Sequence, residues 1–211
     1  MKIKICGLNQ KENIIQILSL KPDMAGFIFY PLSPRYFQLD NLDGIDFSST
    51  KKAGVFVNEN PEKVTETGRK FRLDYLQLHG SENPEYCRKL KAGGFKLIKA
   101  FSVDQDFKFE STLPFAEYCD YFLFDTKGSA YGGTGKKFNW NFLRNYHEQI
   151  PFVLSGGVSS EDSGSISELK QKCNFLGCVD INSLFELSPG IKDVSLCRNF
   201  IEQLNKKPQL I

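Results

Sequence analysis

Residues 75–80 read Tyr75-Leu76-Gln77-Leu78-His79-Gly80, a short run of strand-forming residues stopped by a glycine. Successive side chains of a strand point to opposite faces, so Leu76 and Leu78 share an apolar face while Gln77 and His79 share a polar one. Such a strand offers one face to covering helices and turns the other toward chemistry. A helical stretch follows over Pro84 to Ala92, with proline in the first turn and Ser81 or Asn83 placed to cap it. The same order of β-rich run, polar turn and helical stretch recurs along the chain. The runs are Ile3 to Cys6, Gly26 to Tyr30, Ala53 to Val57, Tyr75 to His79, Leu97 to Phe101, Tyr121 to Asp125, Phe152 to Ser155 and Gly177 to Ile181. Helices are expected over Lys11 to Leu20, Pro61 to Phe71, Trp140 to His147, Ser160 to Lys172 and Val194 to Leu204. Asp40 to Ser49 and Asp106 to Cys119 have poor periodicity and imply short or irregular helices.

Strict strand–helix alternation implies an α/β protein with a parallel sheet, and eight units favour closure into a (β/α)8 TIM barrel over an open doubly wound sheet. At 211 residues the barrel would be compact against the roughly 250 that are typical, leaving little room for insertions. No Pro/Gly/Ser-rich linker divides the chain, so residues 1–211 read as one barrel domain. A content of 41% hydrophobic and 25% charged residues excludes disorder for the bulk. The 27 Lys+Arg against 25 Asp+Glu give a net charge of +2, and the basic residues cluster no further than pairs such as Lys51-Lys52. That argues against a nucleic-acid or membrane-surface partner. The N-terminus lacks a signal peptide's apolar core and no run reaches membrane-spanning length, so a cytoplasmic location is expected. In that compartment the six cysteines read as reduced thiols, and without a C-x-x-C pair or clustered histidines no metal site is expected. A monomer is expected, with a homodimer as the alternative.

The polar strand faces converge at one end of such a barrel. In the first run Ile3 and Ile5 share one face and Lys4 and Cys6 the other; in the sixth, Phe122 and Phe124 point outward and Asp125 inward. Singly, a strand cysteine reads as a small buried hydrophobe, a strand-end Asp as a cap, and a histidine as a hydrogen-bonded interior residue. Together Cys6, His79 and Asp125 stand at C-terminal strand ends, where these barrels build active sites. Lys4, one pleat below Cys6, would favour the thiolate, whereas burial would oppose it, and the sequence leaves the balance open. Ser155-Gly156-Gly157 after the seventh run and Asp180-Ile181-Asn182-Ser183 at the eighth occupy the usual phosphate position, so a phosphorylated small molecule is the expected partner. Tyr131-Gly132-Gly133-Thr134-Gly135-Lys136 fails as a phosphate-binding P-loop on spacing: Ala130 holds the first glycine's place and Lys137 the hydroxyl's. It reads instead as a lid over the barrel mouth.

These residues, taken as a set, resemble the phosphoribosylanthranilate isomerases. The resemblance rests on Lys4-Ile5-Cys6-Gly7, on Gly26-Phe27-Ile28-Phe29-Tyr30 with Ser33-Pro34-Arg35, and on Gly54-Val55-Phe56-Val57-Asn58. It continues through Leu76-Gln77-Leu78-His79-Gly80 with Glu82, Leu123-Phe124-Asp125, Gly132-Gly133-Thr134-Gly135 with Phe138 and Trp140, Leu154-Ser155-Gly156-Gly157, and Pro189-Gly190-Ile191-Lys192-Asp193. It implies a cofactor-free Amadori rearrangement in tryptophan biosynthesis. By the family's pattern Asp125 would be the general acid at the furanose ring oxygen and Cys6 the general base at carbon 2. Arg35 would hold the anthranilate carboxylate and His79 would line the pocket. Gly156, Gly157, Asn182 and Ser183 would hold the phosphate, with Asp180 nearby. One position departs from the pattern: Leu184 stands where the family usually has glycine, which would strain the loop if positive φ were required. Two other functions compete. Another sugar-phosphate isomerase or epimerase on this barrel would be expected to pair two strand-end aspartates, and a non-catalytic phosphate-binding barrel would need neither proton-transfer residue.

Overall fold

The computed structural model describes residues 1–126, 138–147 and 149–206. Eight parallel strands close into a barrel in chain order: β1 (Lys2–Ile5), β2 (Met24–Ile28), β3 (Lys51–Phe56), β4 (Tyr75–Leu78), β5 (Lys96–Val103), β6 (Tyr121–Thr126), β7 (Phe152–Leu154) and β8 (Leu176–Ile181). Each expected run holds a strand, with ends displaced by one or two residues. The seam is the β1–β8 pair, in which Lys4 stands opposite Asp180. Closure leaves the barrel itself no edge strand.

Among the described residues five α-helices lie outside the strands: α1 (Lys11–Leu18), α2 (Pro61–Lys70), α3 (Pro84–Ala92), α4 (Ser163–Lys172) and α5 (Val194–Asn205). Their starts follow from local chemistry. Asn60 accepts from the backbone of Glu62 at 2.8 Å, and Asn83, rather than Ser81, caps α3 through Tyr86 at 2.9 Å. In each case proline supplies the next residue, which needs no N–H partner, and each cap contributes about 1 kcal/mol.

Two connections, before β3 and before β7, differ from expectation, and the one before β6 holds the short helix expected there. Between β2 and β3 no helix forms over Asp40 to Ser49, and Asp46 and Asn41 instead bond short turns. Before β6 a 3₁₀ helix spans Phe109–Phe115, where Pro114 removes a backbone donor that an α-helix would need. The helix expected over Trp140 to His147 is a 3₁₀ turn, Trp140–Asn145, whose buried residues Trp140 and Leu143 lie three apart. An antiparallel hairpin of β9 (Glu186–Ser188) and β10 (Ile191–Lys192) follows β8. No helix among the described residues is long and apolar enough to cross a membrane. The lid segment, residues 131–136, lies outside the described residues.

The core has two compartments separated by the barrel wall. Phe122, Phe124, Leu76 and Leu78 belong to the larger one between strands and helices. Met24, Ile98, Leu123, Val153 and Cys178 fill the barrel, and above them Cys6, Ile28 and Val55 form a smaller apolar group. The inner packing stops there, leaving the C-terminal mouth open for a site.

Candidate active site

A cavity opens at that mouth, with about 700 Å³ of empty space including the part open to solvent. Cys6, His79, Asp125, Gly156, Gly157, Asp180, Asn182 and Ser183 all line it, together with Tyr30, Ser33, Gln77 and apolar Ile28, Val55 and Val57. Eight of the nine residues selected from the sequence therefore meet in one place. The ninth, Arg35, stands apart.

Cys6 follows the last residue of β1 and is 3% exposed. Gly26 of the neighbouring strand makes the room: a Cβ there would lie 2.7 Å from Cys6 Sγ and 2.9 Å from its Cα. Below the thiol, Lys4 Nζ donates to Asp180 Oδ2 at 2.8 Å, a pair whose side chains are 0% and 5% exposed. Burial works against the Lys4 ammonium, but Asp180 and Cys6 outweigh it and hold its pKa above the ordinary lysine value. For Cys6 the balance left open by the sequence falls to burial, which pushes the thiol above its ordinary value while Lys4 pulls it back. The resting group is a thiol beside a fixed positive charge.

His79 follows β4 and joins β4 to β6. Gln77 Nε2 lies 3.0 Å from His79 Nδ1, and His79 Nε2 lies 3.2 Å from Asp125 Oδ2. With the Gln77 amide donating, His79 is the Nε2–H tautomer and donates to Asp125. Asp125 Oδ1 also accepts from the backbone of Thr126 at 2.8 Å. A carboxyl group with a partner on each oxygen is held in one rotamer, aimed into the cavity. Below it, Gly156 has φ +85°, and a Cβ would fall 2.7 Å from Asp125 Oδ1 and closer still to Thr126. Only glycine permits both that backbone conformation and that approach. Loop and acid candidate are thus packed as one unit.

Gly156 and Gly157, at φ +85° and +68°, face Asn182 and Ser183 across the β7 and β8 ends. The expected strain at Leu184 is absent. Positive φ among the described non-glycine residues falls at Lys21, Ser48, Asn58 and Arg72, while Leu184 sits in a 3₁₀ turn, Ser183–Phe185, and is 42% exposed. The chain accommodates leucine by closing a tight right-handed turn that sends the side chain outward. Leu184→Gly should therefore leave competitive inhibition by inorganic phosphate within about twofold of the parent, the scale of an exposed substitution without contacts. A tenfold change in the inhibition constant would restore a role for this position.

Arg35, alone of the nine, stands outside the cavity lining. Its guanidinium does not line the cavity but is gripped by Glu186: Nε lies 2.9 Å from both carboxylate oxygens and Nη2 lies 2.8 Å from Oε2. Its backbone N–H bonds Ser33 Oγ, and its Cδ approaches Gly7 beside Asn182. The side chain is thus at the rim, beside the cavity. Glu186 did not stand out in the sequence and Lys192 entered only within the Pro189–Asp193 stretch, because both belong to the short hairpin after β8 and carry no periodic pattern.

A family model described as N-(5'phosphoribosyl)anthranilate (PRA) isomerase matches residues 3–203. An N-(5'-phosphoribosyl)anthranilate isomerase from Phocaeicola vulgatus is 44% identical, covering 99% of this chain and all of that one. The crystal structure of phosphoribosyl anthranilate isomerase from Thermotoga maritima is 33% identical, with a TM-score of 0.83 over 97% of this chain and 98% of that one. A further isomerase structure, in complex with reduced 1-(o-carboxyphenylamino)-1-deoxyribulose 5-phosphate, is 30% identical with a TM-score of 0.79 over the same shares.

Proposed function

This chain belongs to the N-(5'-phosphoribosyl)anthranilate isomerase family, and from that premise we propose that Asp125 and Cys6 carry its two proton transfers. The activity is an aldose-to-ketose isomerisation of tryptophan biosynthesis. The observation that supports these roles is the meeting of a held carboxyl group and a buried thiol in one cavity, from strands on different sides of the barrel.

Asp125, entering protonated, gives its proton to the furanose ring oxygen as the bond from that oxygen to carbon 1 breaks. The anilino nitrogen supplies the electron pair, giving a protonated Schiff base. The carboxylate left behind then rests on donors from His79 and Thr126. Cys6, as thiolate, takes the proton from carbon 2, and the electrons of that C–H bond run into the cationic imine to give an enolamine. Protonation at carbon 1 and loss of the proton on oxygen 2 complete the ketone. The reaction is redox-neutral overall because oxidation at carbon 2 balances reduction at carbon 1. Asp180 Oδ1, buried without a hydrogen-bond partner among the described residues, is available to a sugar hydroxyl. Gly156, Gly157, Asn182 and Ser183 hold the phosphate.

Arg35 reads the aryl carboxylate with the N–H donors that Glu186 leaves free, since a guanidinium has five and the pair uses two. Arg35→Lys, which keeps the charge but loses the fork, should raise KM about tenfold with a smaller change in kcat. Steady-state kinetics with freshly generated phosphoribosylanthranilate, followed by loss of anthranilate fluorescence, test both the assignment and this substitution. No turnover by the folded parent would remove the mechanism; an unchanged KM in the variant would remove Arg35 from carboxylate binding.

A further inference from the structure

Behind Arg35 lies a row of alternating charges that the proton-transfer mechanism does not use. Glu186, its side chain 4% exposed, receives Arg35 on one side and Lys192 on the other, with Lys192 Nζ 2.6 Å from Oε1. Lys192 is fully buried and also donates to Asn182, at 2.7 Å to Oδ1 and 3.2 Å to the backbone oxygen. Three acceptors call for three N–H donors, which only the ammonium form possesses. Burial lowers the Lys192 pKa, and Glu186 works against that shift.

Charge counting gives the row a purpose. Arg35 and Glu186 alone form a neutral pair, which has little net attraction for an incoming carboxylate. With Lys192 behind Glu186 the group carries one net positive charge, and its outer member is a guanidinium at the cavity rim. Arg35 is held in place by Glu186 without being neutralised by it.

We propose that Lys192 is a specificity-determining positioning residue, which offsets Glu186 so that Arg35 can both be anchored and attract the carboxylate of the substrate's aryl ring. This rests on the reading of Arg35 given above. Lys192 acts through Glu186 and Asn182 and does not touch the reacting atoms. Its effect belongs to carboxylate recognition, whereas loss of its bond to Asn182 would weaken phosphorylated ligands with and without the carboxylate alike.

The test compares two stable ligands by titration calorimetry: reduced 1-(2-carboxyphenylamino)-1-deoxyribulose 5-phosphate and the counterpart whose ring lacks the carboxylate. The ratio of their Kd values is the carboxylate preference, and Arg35→Met sets its floor. Lys192→Met should lower the preference about tenfold or more, the scale of one unit charge acting across a few ångströms of partly buried protein. Glu186→Gln/Lys192→Met, which removes both charges and restores one net positive charge on Arg35, should recover it. A structural role for Lys192 predicts further damage from the second substitution, not rescue. Wild-type preference in Lys192→Met, or a double variant that stays at the floor, would overturn the proposal. If Arg35→Met itself keeps the preference, or the parent shows none, the Arg35 reading falls and the proposal with it. Should Lys192→Met not fold, Glu186→Gln decides alone: a preference at or above the parent's supports the charge count, and a drop toward the floor refutes it.

Discussion

Cys6→Ala should lower kcat by at least about 10²-fold, equivalent to about 2.7 kcal/mol of transition-state stabilisation, while the barrel stays folded. The substitution removes one sulfur from the small apolar group that Cys6 forms with Ile28 and Val55, at the open end of the barrel. Its structural cost is correspondingly modest. The two neighbouring lysines cannot take over, since Lys4 is held protonated by Asp180 and Lys192 is committed to three acceptors. The pH dependence carries a separate signature. A base works only when deprotonated, and burial has pushed the Cys6 thiol up against the pull of Lys4 and Lys192, with Asp180 adding to the rise. At neutral pH the thiolate is therefore the minor form, and in Asp125→Asn, where the acid no longer titrates, the residual kcat/KM should climb by about tenfold per pH unit until the ordinary thiol range is passed. Circular dichroism, to establish folding, and a kcat/KM profile across neutral to alkaline pH are the measurements. Near-normal turnover in a folded Cys6→Ala chain, or a flat alkaline profile in Asp125→Asn, would take the base role from Cys6.

The strands and the inner ring were legible because they rest on local alternation. Leu76 and Leu78 against Gln77 and His79, and Phe122 and Phe124 against Asp125, place each side chain on its face of the barrel wall, and closure then brings the polar ends together. The connections were less legible for an equally physical reason. Pro114 and the tight turn at Trp140 belong to segments too short for helical period to separate 3₁₀ from α. Strain at Leu184 was expected from one residue's preference, but the turn Ser183–Phe185 supplies a conformation that leucine adopts freely. The Arg35–Glu186 pair joins residues 151 apart in the chain, and its partners lie in a loop and a two-stranded hairpin. Their side-chain register depends on how the two loops pack over Gly7, which no local pattern encodes. Sequence placed Arg35 beside the site; tertiary packing decides what holds it.

Asp125→Asn should also lower kcat by about 10²-fold or more, because the amide matches the carboxyl in shape but has no acidic proton to give to the ring oxygen. The hydrogen-bond network can absorb the change without unfolding. The oxygen of the new amide would still accept from Thr126, and if the amide nitrogen faced His79, the imidazole would accept at Nε2 and carry its proton on Nδ1. Gln77 Oε1, buried and without a partner among the described residues, is placed to receive that proton once the Gln77 amide turns over. The His79–Gln77 arm can thus meet either an acceptor or a donor at the end of β6, as a group that gives up a proton during turnover requires. Binding of the reduced, ring-opened product analogue should remain near the parent's, since that ligand has no ring oxygen awaiting protonation. Loss in kcat with little loss in analogue affinity is the pattern of an interaction made only on the way to the transition state. Calorimetry with the analogue beside single-turnover kinetics separates the possibilities. A folded variant within tenfold of the parent would remove the acid role, and an analogue affinity that falls as far as kcat would make Asp125 a binding group instead.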